Sequence, residues 1–244
     1  MKGLQVLEHV ARSDDKVRIT DLAADMELTK SNAYRVLKTL EASGFIIQDP
    51  VTKEFSPSMK IWEIGLLVIK RLNLRDYARD ELRKLADKSR ETVHLAVLDG
   101  DSVLYIDKID SVEPIASYTT LGGRAPAYCV ATGKALLSRL SADEVDRKLV
   151  KLEKFSKATV TNKGELLKQL AEARTSGYTI NRGEWREDVW GVASVIEDAT
   201  GSVFAAVGVS GPNYRFQEEA RCNALIEMVK SAAAEISNQL RSNR

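Results

Sequence analysis

The stretch that most restricts the fold is "TDLAADMELTKSNAYRVLKTLEASG", residues 20–44. It holds two short amphipathic patterns joined only by "MELT". Ile19, Leu22, Ala23 and Met26 form the apolar row of the first. Ala33, Val36, Leu37 and Leu40 follow the i, i+3, i+4, i+7 rule in the second. Thr20 is the expected N-cap of the first helix, and Thr29 or Ser31 that of the second. Gly44 is placed to end the second helix as its C′ residue. Upstream, Leu4, Leu7, Val10 and Ala11 recur at helical spacing. Downstream, "FIIQDPVTKEFSP" reads as two short strands around a turn centred on Asp49 and Pro50. So tight a connection between two helices, followed by a hairpin, predicts a winged helix-turn-helix, with the second helix able to enter a major groove.

The face of that helix opposite the apolar row carries Ser31, Asn32, Tyr34, Arg35 and Lys38, with Lys30 at its start. Lysine and arginine neutralise phosphates or read guanine edges, and asparagine can pair with adenine. Lys30, Arg35 and Lys38 against Glu41 leave a local charge of +2. Lys53, near the wing tip, is placed for a backbone phosphate. A protein-binding three-helix module with a solvated polar face would satisfy the same pattern. The whole chain is near neutral, at +1, so any basic surface is local. Affinity from phosphate neutralisation grows with the number of contacts, so one copy should bind weakly.

A reason for two copies follows in the sequence. From Pro57 to Leu74 the pattern is a helix apolar around much of its circumference. Ile61, Trp62, Ile64, Leu66, Leu67, Val68, Ile69 and Leu72 cannot all face one small core. The expected organisation is a DNA-binding domain over 1–58, a linker or dimerisation helix over 59–74, and a second domain over 75–244. In that second domain a charged helix near 75–90 precedes a hairpin, "TVHLAVLDG-DSVLYIDKID", turning at Gly100-Asp101. "PIASYTTL" reads as a further strand. Helices are expected near 132–140, 142–149 and 163–176. "GYTIN" and "VWGVASVIEDATGSVFAAVGVSG" supply three more strands, and a long helix near 217–240 closes the chain. Mixed helices and hairpins make this an α+β protein with a mainly antiparallel sheet.

Enzyme chemistry finds little support. "YCVATGKALLS", residues 128–138, ends like a phosphate-binding loop, but Tyr128 stands where the first glycine is required and Ala135 follows Lys134. Ser210 lies in "GVSGP", where Pro212 breaks the nucleophile-elbow pattern. Neither His9 nor His94 sits in a motif marking a general base. Most carboxylates alternate with lysines and arginines on helix faces, as in "RDELRKLADKSR". Cys129 and Cys222 are far apart and the histidines are two, which excludes a zinc site of ordinary spacing. No cofactor is expected. The first residues lack a signal-peptide pattern, and "IWEIGLLVIKRL" is short and charged for a bilayer span, so the expected location is the cytoplasm. "YCVATGKALLS" has another use: the first turn of its helix, at Ala131 and Thr132, offers free N–H groups to an anion. Gly133 would keep that approach open. Thr132 capping the helix and Gly133 allowing close packing is the plainer alternative.

Several separated segments together resemble the IclR family of bacterial transcriptional regulators. They are "TDLAADMELTKSNAYRVLKTLEASGFI", "LNLRDYARDELRKLADKSRETVHLAVLDGDSVLYIDKID", "LGGRAPAYCVATGKALLS", "GYTINRGEWREDVWGVASVI" and "VSGP", in family order. The resemblance implies a winged domain, a linker helix and a GAF-like effector domain. It implies homodimers or dimers of dimers on near-palindromic double-stranded operator DNA, responding to small metabolites. A repressor of genes for breakdown of an organic or aromatic acid is expected, with an activator, or a sensor or enzyme on the GAF-like domain, as alternatives. The family's pocket falls here on Ala131, Thr132, Asn181, Gly191, Gly208 and Ser210. Glycines at 191 and 208 are expected to enlarge it beyond a two-carbon acid, with Tyr128, Trp185 and Trp190 as aromatic walls.

Overall fold

The computed structural model describes residues 2–72, 74–117, 119–198 and 200–242, with the side chains of 66–72 and 204 outside the description. The chain divides into two compact units, Met1–Asn73 and Leu74–Arg244.

The first unit begins with α1 (Lys2–Arg12), α2 (Ile19–Asp25) and α3 (Lys30–Ala42). Val6 and Val10 of α1, Leu22 and Ala23 of α2, and Ala33, Leu37 and Leu40 of α3 close around Phe55 and Ile46. The row on α1 differs from the sequence expectation. Leu4 is 74% exposed and Ala11 is also at the surface, because Val6 and Val10, one turn apart, take the core face. Thr20 is not a cap either: α2 starts two residues earlier than that cap implies, at Ile19, with Arg18 in the extended N-cap position. Thr29 does cap α3, accepting a hydrogen bond from the Asn32 N–H. Gly44 follows α3 with φ +75°, a left-handed conformation that glycine adopts without steric cost. Strands β1 (Ile46–Gln48) and β2 (Phe55–Pro57) pair antiparallel as the wing. Val17 extends the ladder by exchanging both backbone hydrogen bonds with Phe55. The unit ends in α4 (Met59–Leu72). Met59, Trp62 and Ile64 on it are exposed. The expected apolar positions Leu66, Leu67, Val68, Ile69 and Leu72 lie outside the described side chains.

In the second unit α5 (Leu74–Ser89) leads into β3 (Thr92–Asp99) and β4 (Ser102–Ile109). Then come β5 (Arg124–Pro126), a 3-10 turn at Ala127–Cys129, α6 (Ala131–Leu137), α7 (Ala142–Lys148) and α8 (Lys163–Ser176). Strands β6 (Thr179–Arg182), β7 (Val189–Glu197) and β8 (Val203–Pro212) precede the closing α9 (Glu219–Ser242). The sheet order is β5-β4-β3-β8-β7-β6, antiparallel throughout. Side chains alternate across it with period two. Val93, Leu95, Val192, Val207 and Val209 meet α5 and α9 on one face. Ala96, Ala193 and Ala206 meet α6 and α8 on the other. Small residues on that second face let α6 lie close to the strands. "PIASYTTL" is not a strand: residues 114–117 and 119–121 form irregular chain and a turn, and residue 118 is outside the description. The edge position goes instead to β5, which sequence patterning missed because three residues show no alternation.

Candidate functional site

The first candidate site is the outer face of α3. Burying Ala33, Leu37 and Leu40 turns Lys30, Ser31, Asn32, Tyr34 and Arg35 to solvent. Lys38 differs from its neighbours. Its ammonium donates to Glu41 Oε2 at 2.7 Å and to Gln48 Oε1 at 2.8 Å. The carboxylate of Glu41 holds its pKa above the ordinary lysine value. Lys53 is exposed on the wing at φ +61°. The same turn is closed by Asp49, whose carboxylate accepts from the Val51 and Thr52 N–H groups and pairs with Lys16 at 2.6 Å. Lys16 and those N–H groups hold Asp49 far below the usual carboxylate range.

The second is a cavity between the α6 side of the sheet and the irregular chain after β4. It is lined by His94, Tyr105, Ser117, Thr119, Val130–Thr132, Asn181, Trp185, Arg186, Val189, Gly191, Val192 and Gly208–Ser210. Strand register explains the convergence. His94 pairs with Gly208, Thr92 with Ser210, and Gly191 with both Ser210 and Asn181, so all point to one face. His94 Nε2 lies 2.6 Å from Ser210 Oγ and 3.5 Å from Thr119 Oγ1. Burial, aided by Lys108, pushes the imidazole down to about 4. Its Nδ1 is buried without a hydrogen-bond partner. Burial pushes the Tyr105 hydroxyl up to about 12, against a smaller opposing hydrogen bond with Thr132. No side chain caps α6, so its first-turn N–H groups at Ala131 and Thr132 border the cavity unsatisfied by a cap. The cavity is small, about 40 Å³.

Ala131, Thr132, Asn181, Trp185, Gly191, Gly208 and Ser210 thus come together, although they derive from four separate segments. Tyr128 does not join them. Its hydroxyl is held by the backbone of Glu153, accepting from the N–H at 2.6 Å and donating to the carbonyl at 2.8 Å. Trp190 is also elsewhere, packed against the α5–α9 core. The glycines do not enlarge the space. A Cβ at Gly208 would stand 2.7 Å from Val192 O and 2.9 Å from Ala193 Cβ, and one at Gly191 2.8 Å from Val209 O. At Gly133 a Cβ would overlap the Ala127 backbone, so that glycine serves close packing and does not open an approach for a ligand. Lys134 is buried and paired with Glu184 at 2.6 Å. His94, Tyr105, Ser117, Thr119 and Arg186 were missed. Period two in "TVHLAVLD" could have placed His94 beside Thr92 and Ala96, but nothing local marks Thr119. Among the described residues no group of His, Cys, Asp and Glu is arranged to hold a metal. No helix there is long and apolar enough to cross a membrane.

A helix-turn-helix with a wing, followed by an α/β unit with a cavity lined by both polar and apolar groups, defines a DNA-binding regulator with a ligand-sensing domain. Comparison with known proteins gives the family. The IclR helix-turn-helix domain matches residues 1–50, and the bacterial transcriptional regulator IclR C-terminal domain matches 66–238. The chain belongs to the IclR family, and DNA-binding transcriptional regulation is its function. It is 34% identical to the HTH-type transcriptional regulator KdgR of Escherichia coli K12, over 92% of this chain and 86% of that one. It is 30% identical to the E. coli K12 transcriptional repressor AllR, over 98% and 89%. Its fold matches an IclR homolog from Microbacterium hydrocarbonoxydans complexed with 4-hydroxybenzoate, at TM-score 0.86 and 25% identity over 99% and 98% of the two chains.

Proposed function

We propose that this chain is a cytoplasmic repressor of catabolic genes that acts as a homodimer, or a dimer of dimers, and leaves its operator when a small carboxylate fills the cavity. The observation that carries the effector half is the lining. Among the described residues it holds one cation, Arg186, and no carboxylate. Hydroxyls of Thr132, Thr119 and Ser210, the Asn181 amide and the free N–H groups at the start of α6 converge on a space of a few atoms. Such a set can solvate an anion without a buried countercharge. The size favours a short hydroxy or oxo acid. An aromatic acid is the second reading, favoured by Trp185 and by the 4-hydroxybenzoate complex of the Microbacterium protein, and it requires the Trp185–Arg186 wall to move.

On the DNA side, Lys30, Ser31, Asn32, Tyr34 and Arg35 read the operator and Lys53 holds a phosphate, while Lys38 braces the wing. The exposed Met59, Trp62 and Ile64 of α4 support a dimerising linker over 59–74, between a DNA-binding domain over 1–58 and an effector domain over 75–244. Effector binding then shifts the population between arrangements of different operator affinity. Ser210 and His94 are a hydrogen-bonded pair, but an imidazole pushed down to about 4 is a weak base and its Nδ1 lacks an orienting carboxylate. This favours sensing over catalysis.

The test is operator release, followed by fluorescence anisotropy, against a panel of short hydroxy and oxo acids and 4-hydroxybenzoate. Release by one acid, lost in both Thr132→Val and Asn181→Leu while those variants still bind operator, is expected. Release that survives both substitutions places the ligand elsewhere and overturns the reading.

A further inference from the structure

The wing turn is tied to the recognition helix through one side chain. Gln48, at the end of β1, accepts from Lys38 Nζ at 2.8 Å through Oε1 and donates from Nε2 to the Lys53 carbonyl at 2.9 Å. Lys38 is itself fixed on α3 by Glu41 at 2.7 Å. Lys53 sits at φ +61°, a backbone conformation uncommon for a residue with a side chain. Its N–H donates to the Asp49 carbonyl at 3.0 Å. The glutamine amide offers an acceptor to one partner through its oxygen and a donor to the other through its nitrogen. The bonds therefore form a chain: α3, Lys38, Gln48, the Lys53 backbone.

We propose that Gln48 is a positioning residue for DNA binding: it fixes the left-handed backbone at Lys53, and so the place of the Lys53 ammonium relative to the face of α3. Two cationic contributions are thereby separated. Lys38 is held at the surface by the protein's own acceptors, with two of its three donors engaged. Lys53 is the exposed charge that Lys38 and Gln48 aim. A wing free to swing would lose entropy each time it docked on a phosphate; a wing held in register does not. This inference rests on the reading that Lys53 meets a backbone phosphate.

The experiment measures operator affinity of the full chain by anisotropy across a salt series, for Lys53→Ala, Gln48→Met, Lys38→Met and the double variant Lys53→Ala/Gln48→Met. Methionine keeps the length of glutamine without its hydrogen bonds. Thermal unfolding of each variant, matched to the unsubstituted chain, establishes that the wing still folds. Losing one phosphate contact lowers the slope of log affinity against log salt by about 1. Lys53→Ala is expected to show that loss, and Gln48→Met and Lys38→Met a loss in the same direction. In the double variant Gln48→Met should add less than about twofold to the effect of Lys53→Ala, because a residue acting through another contributes nothing once the other is gone. A slope unchanged by Lys53→Ala defeats the phosphate reading and the positioning role with it. A lowered slope in Lys53→Ala beside an unchanged one in Gln48→Met, or additive effects of the two, overturns the positioning role alone.

Discussion

The winged unit holds its charges at the surface, whereas the C-terminal unit carries several of its own inside. Lys16 with Asp49 and Arg18 with Glu54 brace the wing from solvent. In the C-terminal unit Glu91 is fully buried between Arg215 at 2.8 Å and Arg221 at 3.2 Å. Arg215 also donates to the Ile115 carbonyl, and Thr92 to that of Ser117. Both bonds hold the irregular chain that delivers Thr119 to the cavity. Lys134 and Glu184 are buried one turn beyond the start of α6, and the Glu184 N–H donates to Asn181 Oδ1 in the cavity wall. The difference follows from burial: charges at the wing surface stay hydrated, whereas polar groups buried beside the cavity need partners that are buried as well.

The comparison breaks most visibly at Glu184. Removing it leaves the Lys134 ammonium buried, with Gln169 at 3.5 Å as its remaining partner. An unpaired buried charge costs about 3–5 kcal/mol. Calorimetry of Glu184→Ala should show the transition of the C-terminal unit weakened by that amount. The double replacement Lys134→Met/Glu184→Met should regain much of it, since well-packed apolar pairs can replace buried ions. A single variant as stable as the unsubstituted chain would mean that water reaches the pair.

His94 gives the next largest effect, and it is pH-dependent. Its pKa falls from 6.5 to about 4 on folding, so the unfolded chain binds the proton more readily. The stability tied to the neutral imidazole is fully present above pH 6.5. It is lost as pH falls through the interval down to about 4. That displacement corresponds to about 3 kcal/mol. His94→Gln lacks the titration, so the stability of the unsubstituted chain relative to it should drop by that amount between those pH values. Parallel pH curves would show that the cavity is hydrated. Asp49 has the same relation to acid at lower pH: its depressed carboxyl supports the fold at neutral pH and ceases to do so only in strong acid.

The same contrast decides what could be read from the sequence. The winged unit is written in local rules: a 3.6-residue period, a Thr29 cap, a Gly44 terminator and a turn of polar residues. Each acts within a few positions, so the helices and the exposed row from Lys30 to Arg35 were legible. The exceptions, Val6 displacing Leu4 and Arg18 displacing Thr20, are shifts within the same helices. The cavity is written in long-range register. His94 and Ser210 stand 116 positions apart, and only antiparallel pairing of β3 with β8 joins them. The family resemblance supplied Asn181, Gly191 and Gly208 but not their surroundings. In a sequence, an absent side chain reads as empty space. In the fold, neighbouring elements close over the gap, as Val192, Ala193 and Thr132 do around Gly208. Tyr128 failed for a related reason, since proximity in sequence to Ala131 says nothing about which side of the 3-10 turn a ring takes.

The smallest expected effect tests whether recognition and stability are separable in the winged unit. Arg35 lies on the exposed face of α3, one position from the half-exposed Tyr34 and on the side away from Leu37. Arg35→Ala removes no buried contact, so thermal unfolding of the chain should be unchanged. If the guanidinium reads a base edge, operator affinity should fall by about 5- to 150-fold, with discrimination relaxed at one position of each half-site. If it meets only a phosphate, the loss should be alike across operator variants and the salt slope should drop by about 1. Either result keeps the winged unit as a surface whose function is detachable from its core. Equal affinity for every operator variant at every salt concentration, with the fold intact, would remove Arg35 from the interface. A loss of stability matching the loss of binding would show that α3 is braced from its outer face as well, and the contrast with the C-terminal unit would no longer hold.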